Sequence, residues 1–192
     1  MNKAKTGKTA VQPRRSLYLL HPYNACLVTS GSRSKGENVM AVAWIIPVSV
    51  DPPLIAMSIR TERFSYRIIL ESKEFAVNIP TFEMAQKVLF CGRRSGKERD
   101  KFEDASLTPQ RAQKINAPII EECIAHLECK VEKTLRTGDH ELVVGEIIAA
   151  YAEKDCFDEV YNLTRFHPCL HIGKDFFTTC TDNRIEPNIQ KM

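Results

Sequence analysis

Two kinds of apolar pattern alternate along the chain. Val39, Met40, Ala41, Val42, Ala43, Trp44 and Ile45 are apolar at consecutive positions. This run predicts a strand over 38–46 with no face left for water, so that both of its sides must be covered. Leu54–Ile59 is a second apolar strand, and Ala25–Thr29 a third that ends in the turn Ser30-Gly31-Ser32. Pro47 and the pair Pro52-Pro53 interrupt the chain, because proline has no N–H for a ladder. Farther on, Ala125, Leu127, Cys129 and Val131 alternate with His126, Glu128, Lys130 and Glu132, the period of a half-exposed strand. The turn Thr137-Gly138-Asp139 joins it to Glu141–Ala150, so these two segments form a hairpin. Glu74–Ile79 is one more strand, and the helical patterns are short, over 62–71 and 81–90. Many strands with few long helices predict a mostly β, antiparallel barrel with helical insertions, not a doubly wound parallel sheet.

A length of 192 residues suits one domain, here 16–192 after a flexible basic tail over 1–15. With 43% hydrophobic and 27% charged residues, the chain is neither disordered nor collagen-like. The net charge of +3 owes part of its sign to Lys3, Lys5, Lys8, Arg14 and Arg15. No aromatic residues are interleaved among them for base stacking, so the tail reads as solvated and no nucleic-acid partner is expected. The seven cysteines form no CxxC pair, and residues 1–15 lack the apolar core of a secretory signal. Reduced thiols in a cytoplasmic protein are the simplest reading. The longest apolar run, Met40 to Val48, is about half the ~20 residues of a membrane span.

Local motifs exclude several chemistries. Gly92-Arg93-Arg94-Ser95-Gly96-Lys97-Glu98 is one residue short of a phosphate loop, and Glu98 stands where a hydroxyl should hold magnesium. No Gly-x-Gly-x-x-Gly is present to support a dinucleotide fold. His167-Pro168-Cys169-Leu170-His171 groups three metal-type side chains, but no second ligand pair has a recognisable spacing. A packed loop with a buried thiol is the reading there, and no metal is expected. Trp44 taken alone reads as core packing. Lys101 alone reads as pairing with Glu98 or Asp104 on an exposed turn, and His140 as a solvent-facing turn residue.

An ordered set of stretches changes this picture: Asn38-Val39-Met40-Ala41-Val42-Ala43-Trp44, Asp51-Pro52-Pro53, Glu74-Phe75-Ala76-Val77-Asn78-Ile79-Pro80, Ser95-Gly96-Lys97, Asp100-Lys101-Phe102 and Gly138-Asp139-His140. In this order the chain resembles the flavin reductase-like, FMN-binding split-barrel proteins, in their flavoredoxin and archaeal ferric-reductase branch, from about Pro22 to Thr179. The resemblance implies a six-stranded antiparallel Greek-key barrel that dimerises, with one FMN per subunit near the interface. By family position, Asn38, Val39, Met40, Ala41 and Trp44 line the isoalloxazine pocket. Ser58, Arg60, Ser65 and Tyr66 lie around the ribityl chain and phosphate, and Lys101 and His140 approach the flavin, His140 as the catalytic candidate. An aromatic near Gly173 closes the site, Phe177 being preferred to Phe176. Ser65 stands where relatives often have threonine, and Lys174 where many have a second glycine.

The residue chemistry agrees with that assignment. A phosphate of about −1.5 to −2 charge suits a bidentate arginine, hydroxyl donors and a helix start. A flat tricycle with one polar edge needs apolar walls and a few amide donors. The expected activity is electron transfer from NAD(P)H or another small-molecule or redox-protein donor, through FMN, to an acceptor such as free flavin or ferric iron. A flavoredoxin-like carrier without NAD(P)H activity and a non-catalytic FMN-binding module are the alternatives.

Overall fold

The structure is a computed structural model that describes residues 7–181 and 183, so Lys3 and Lys5 of the basic tail lie outside it. Helix α1 (Pro13–Ser16) and a 3-10 turn precede β1 (Tyr23–Asn24). Then follow β2 (Cys26–Ser32), β3 (Gly36–Val42), β4 (Ile45–Ser49), β5 (Leu54–Ile59), α2 (Phe64–Ser72) and β6 (Glu74–Ile79). Helices α3 (Ala85–Arg93) and α4 (Lys101–Asp104) lead to the short strands β7 (Pro109–Gln110) and β8 (Ile119–Ile120). A long hairpin of β9 (Ala125–Thr137) and β10 (His140–Ala152) comes next, then β11 (Leu170–Gly173) and β12 (Phe176–Thr178).

The main sheet is antiparallel with the order β3-β2-β6-β9-β10-β5-β4. Its two edges, β3 and β4, are joined through Ala43 and Trp44 alone. Three Cα steps span at most about 11 Å. The sheet is therefore forced to roll until its edges nearly meet, and the result is a barrel left split between β3 and β4. The apolar run expected as one strand over 38–46 is in fact two strands on opposite edges. The β3 half is covered on both faces, but the expected cover fails on β4, where Ile46 and Val48 are exposed because that edge strand has a neighbour on one side only. Seven strands result instead of six, since β4 tolerates Pro47 as an edge strand.

Alternation on β3 explains why no polar face is visible in its sequence. Val39 packs outward with Val88, Cys91 and Phe102 of the helices, together with Leu27. Met40 and Val42 point into the barrel with Val28, Met57, Phe75 and Val143. Across the barrel, β10 bulges at Val144/Gly145. A Cβ on Gly145 would lie 2.6 Å from Cζ of Phe75, so glycine is what lets that ring fill the core.

The segment between β7 and β8 has no regular structure, so its backbone donors must find other acceptors. The buried Glu128 on β9 accepts from the N–H groups of Gln113 and Lys114 at 2.8 and 2.6 Å, and from the Tyr151 hydroxyl at 2.9 Å. Glu74 accepts from the Asn116 N–H at 2.7 Å. Among the described residues, no helix is long and apolar enough to cross a membrane.

Candidate functional site

The twelve candidate residues fall into three groups around the split. The first is a buried polar cluster. Asn38 on β3, Ser65 in the first turn of α2 and Lys101 at the start of α4 are 3%, 3% and 4% exposed. The Asn38 amide Nδ2 donates to Ser65 Oγ at 2.6 Å. Lys101 Nζ donates to the carbonyls of Cys91 and Arg94 at 3.2 and 3.3 Å. Gly96 seals the cluster, because a Cβ there would overlap Asn38 Oδ1 and lie 2.9 Å from its Cγ. Burial lowers the Lys101 pKa to about 8. Asp104 is taken by Arg99 at 3.2 Å, so Lys101 is not the exposed ion-pair residue that its sequence neighbours suggest. The start of α2 matters here as well: its N-cap residue, Arg63, makes no side-chain hydrogen bond to the first turn, leaving backbone donors free.

The second group lies at the solvent-facing mouth. The rings of Trp44 and His140 have centroids 5.1 Å apart with 35° between their planes. Trp44 is 40% exposed, which corrects the core-packing reading. It sits on the crossing between the sheet edges, where neither core reaches it. His140 Nδ1 lies 2.7 Å from Asp139 Oδ1. A carboxylate can only accept, so Nδ1 carries the proton and Nε2 is the free position of the neutral ring. The hydrogen bond from His140, helped by the Arg60 charge, holds the Asp139 carboxyl below its ordinary pKa. Arg60 at the end of β5 reaches Asp139 Oδ2 at 3.3 Å and Glu62 at 3.8 Å. Tyr66 donates to Glu141 at 2.5 Å, and that bond raises the phenol's pKa. Ser58 is half-buried and tied to this group through its N–H, which donates to the Trp44 carbonyl at 2.9 Å.

The third group lines a cleft of about 260 Å³ beside the second half of β3, with Tyr18, Ala41, Ala43, His171, Lys174 and Phe177 in its walls. Phe177 is half-buried against the core while Phe176 is 64% exposed. Val39 and Met40 send their side chains into the two cores, so they present only backbone to the split. Since β3 has a ladder partner on one side only, alternate N–H and C=O groups along it face away from β2.

Other sequence candidates disperse. His167 is exposed 4.0 Å from Glu83, Cys169 is 2% exposed in the core, and His171 packs on Phe177 at 5.5 Å between centroids. Among the described residues, no three His, Cys, Asp or Glu side chains are placed to hold a metal. All seven cysteines are unpaired and six are buried. Burial pushes the Cys26 thiol up to about 12 and those of Cys91 and Cys169 to about 11, which makes them poor nucleophiles. Two residues of the site escape sequence reasoning. Asp139 reads only as part of a turn, although a carboxylate next to a histidine is a usable signal. Ser30 reads as a turn residue too, whereas β2 runs on to Ser32 and buries it.

Residues 18–178 match the family described as the flavin reductase like domain. The chain is 37% identical over 173 residues to an uncharacterised protein of Archaeoglobus fulgidus, covering 89% of this chain and 96% of that one. Flavoredoxin from Methanosarcina acetivorans superposes with a TM-score of 0.82 at 28% identity, covering 93% of this chain and 94% of the other. A protein with a split barrel domain from Shewanella frigidimarina superposes with a TM-score of 0.81 at 21% identity, over 98% of this chain and 99% of that one. With the rolled sheet and the split between β3 and β4, these matches make the chain a member of the flavin reductase-like family with a split-barrel fold.

Proposed function

We propose that the chain binds FMN along the open edge of β3 and acts as a cytoplasmic oxidoreductase. Electrons pass from NAD(P)H or another donor to an acceptor such as free flavin or ferric iron. The observation that carries this reading is the arrangement of the split. A buried donor cluster lies at Asn38, Ser65 and Lys101, and at the mouth lie the exposed Arg60 and Trp44 with the half-buried His140 ring beside the indole. Four strand steps from Asn38 to Val42 span about 13 Å, and the link through Ala43 carries the chain on to Trp44, so the two groups lie at opposite ends of an elongated site that suits a flavin mononucleotide.

The burial of each group assigns its task. A phosphate dianion is held best where water and Arg60 both reach it, since an unpaired buried charge is expensive. The amide of Asn38, the Ser65 hydroxyl and the free edge of β3 suit the polar rim of the ring system. On this reading Ser65 belongs with the ring rather than with the ribityl chain and phosphate. Ala41 and Phe177 supply apolar walls. Lys101 keeps a cation near that rim, and His140 can hold or release a proton at Nε2 while Asp139 keeps its ring oriented. Bound FMN supplies the two-electron chemistry that none of these side chains has.

Purified protein incubated with FMN and gel-filtered is expected to come through yellow; a colourless protein would refute the reading. Arg60→Ala should weaken FMN binding by about 1.5–3 kcal/mol if this side chain holds the phosphate. Unchanged affinity in a fluorescence titration removes it from the site. The likeness to flavoredoxin favours a second reading, an electron carrier without pyridine-nucleotide activity. Anaerobic stopped-flow decides between them: bleaching of bound flavin by NADH or NADPH supports the reductase, and bleaching by a protein donor alone supports the carrier.

The exposed residues Ile46 and Val48 on β4, with Val50 just past its end, support a homodimer through this edge. Light scattering should give twice the 21.8 kDa chain mass. Val48→Lys should shift the protein to monomer and weaken FMN binding; a dimer unaffected by this change places the interface elsewhere.

A further inference from the structure

Ser30 stands directly opposite Asn38 in the β2–β3 ladder. Cys26 and Val28 precede it at two-residue spacing and pack inside the barrel with Met40 and Val42. Ser30 and Asn38 therefore continue one face of the hairpin, with Cβ atoms about 4.5–5.5 Å apart. Two polar residues thus end an otherwise apolar face. Ser30 is 0% exposed, and its Oγ has no hydrogen-bond partner. It has no easy route to water, because the next residue, Gly31 at φ +85°, packs so closely that a Cβ would overlap the Gly36 carbonyl. An alanine at position 30 would continue the apolar face without leaving a buried hydroxyl unpaired.

We propose that Ser30 is a positioning residue for Asn38. The inference rests on the flavin reading above. A carbonyl or ring nitrogen entering the split can accept the second Nδ2 proton of Asn38, since the amide spends only one on Ser65 Oγ. With both Nδ2 protons engaged, the amide plane needs an anchor at Oδ1. On this face of β2 and β3 the available group is the Ser30 hydroxyl, which donates to Asn38 Oδ1 and keeps Nδ2 aimed at the cofactor.

The test is a double-mutant cycle on FMN affinity, read by flavin fluorescence quenching, with wild type, Ser30→Ala, Asn38→Ala and the double variant. Asn38→Ser replaces Asn38→Ala if the latter does not fold. Ser30→Ala should weaken FMN binding about tenfold, which corresponds to 1.4 kcal/mol. In the Asn38 variant background the same change should have no further effect. The melting temperature of ligand-free Ser30→Ala should equal or exceed that of wild type, which a merely structural serine would not allow. Wild-type affinity in Ser30→Ala, an equal loss in both backgrounds, or a lowered ligand-free melting temperature overturns the proposal. A wild-type protein that binds no FMN overturns the flavin reading itself and this proposal with it. Binding by wild type and Ser30→Ala alike overturns this proposal alone.

Discussion

Replacing Lys101 with methionine should change how the stability of the ligand-free protein depends on pH, and should lower the midpoint potential of the bound flavin. The lysine pKa falls from 10.5 in the unfolded chain to about 8 in the folded one, chiefly through burial. Between those values the unfolded chain binds a proton that the folded chain does not, so this group makes stability rise with pH from about 8 to 10.5. Below pH 8 both states are charged and its contribution is flat, at a cost of about 3 kcal/mol relative to high pH. The buried thiols act in the opposite sense. Their folded pKa values are raised, so the unfolded chain loses its protons first and stability falls above about pH 9. Denaturant titrations of wild type and Lys101→Met between pH 7 and 10.5 isolate the lysine, because the thiols are common to both. The difference between the two curves should change by about 3 kcal/mol across that window. A constant difference would show that Lys101 titrates normally.

The same side chain bears on function through its charge. Reduced flavin gains negative charge at its polar rim, and a charge-assisted hydrogen bond there contributes about 1.5–3 kcal/mol. For a two-electron couple that corresponds to about 30–60 mV, the expected fall in potential in Lys101→Met at pH 7. The gap should narrow above pH 8 as the wild-type amine loses its proton. Dye-equilibrated redox titration measures it, and an unchanged potential removes Lys101 from the neighbourhood of the flavin.

Glu128→Ala should be the most damaging single substitution for the fold. The carboxylate is fully buried and satisfies two backbone donors of the irregular segment after β7, together with the Tyr151 hydroxyl. Truncation leaves three donors without an acceptor and opens a cavity beside β9. The expected loss is about 3–5 kcal/mol, enough to lower the melting temperature of a chain of this size by about 8–15 °C. Glu128→Gln should recover part of this, since an amide oxygen still accepts while its NH2 opposes one N–H donor. Hydrogen exchange should show the amides of Gln113 and Lys114 losing protection first. Stability within about 0.5 kcal/mol of wild type would mean that the segment is held by its apolar contacts alone.

Periodicity is most informative where one face meets water. The alternation of Ala125–Glu132 and the Gly138 turn identify the long hairpin from the residues alone, although the polar face read as exposed is covered at His126 and Glu128, the latter holding the segment after β7. Its true length, to Thr137 and from His140, escapes because the exposed end beyond Val131 carries no apolar alternation. The run from Val39 to Ile45 reads as one doubly covered strand, whereas only its β3 part is covered on both faces and the chain then crosses to the open edge β4. An apolar chain reads the same whether it stays in one ladder or crosses from one edge to the other. Lys101 and Trp44, each taken alone, mislead for a related reason. Exposure depends on what distant segments cover, here α3 and Gly96 over the lysine and the His140 ring in place of a core against the indole.

The amino-acid order alone therefore determined the strand content, the antiparallel class, the family resemblance and most of the residues that gather at the split. Those properties follow from side-chain period, turn residues and motif order, all of which act within a few positions of the chain. Tertiary structure alone decided the rest: that a two-residue link closes the barrel, that Asn38, Ser65 and Lys101 form one buried cluster, and that Arg60 meets Asp139 at the mouth. It also showed that Ser30 lies buried and unpaired opposite Asn38. Each of these joins residues far apart in sequence, and such contacts depend on the ladder register and helix packing of the whole sheet.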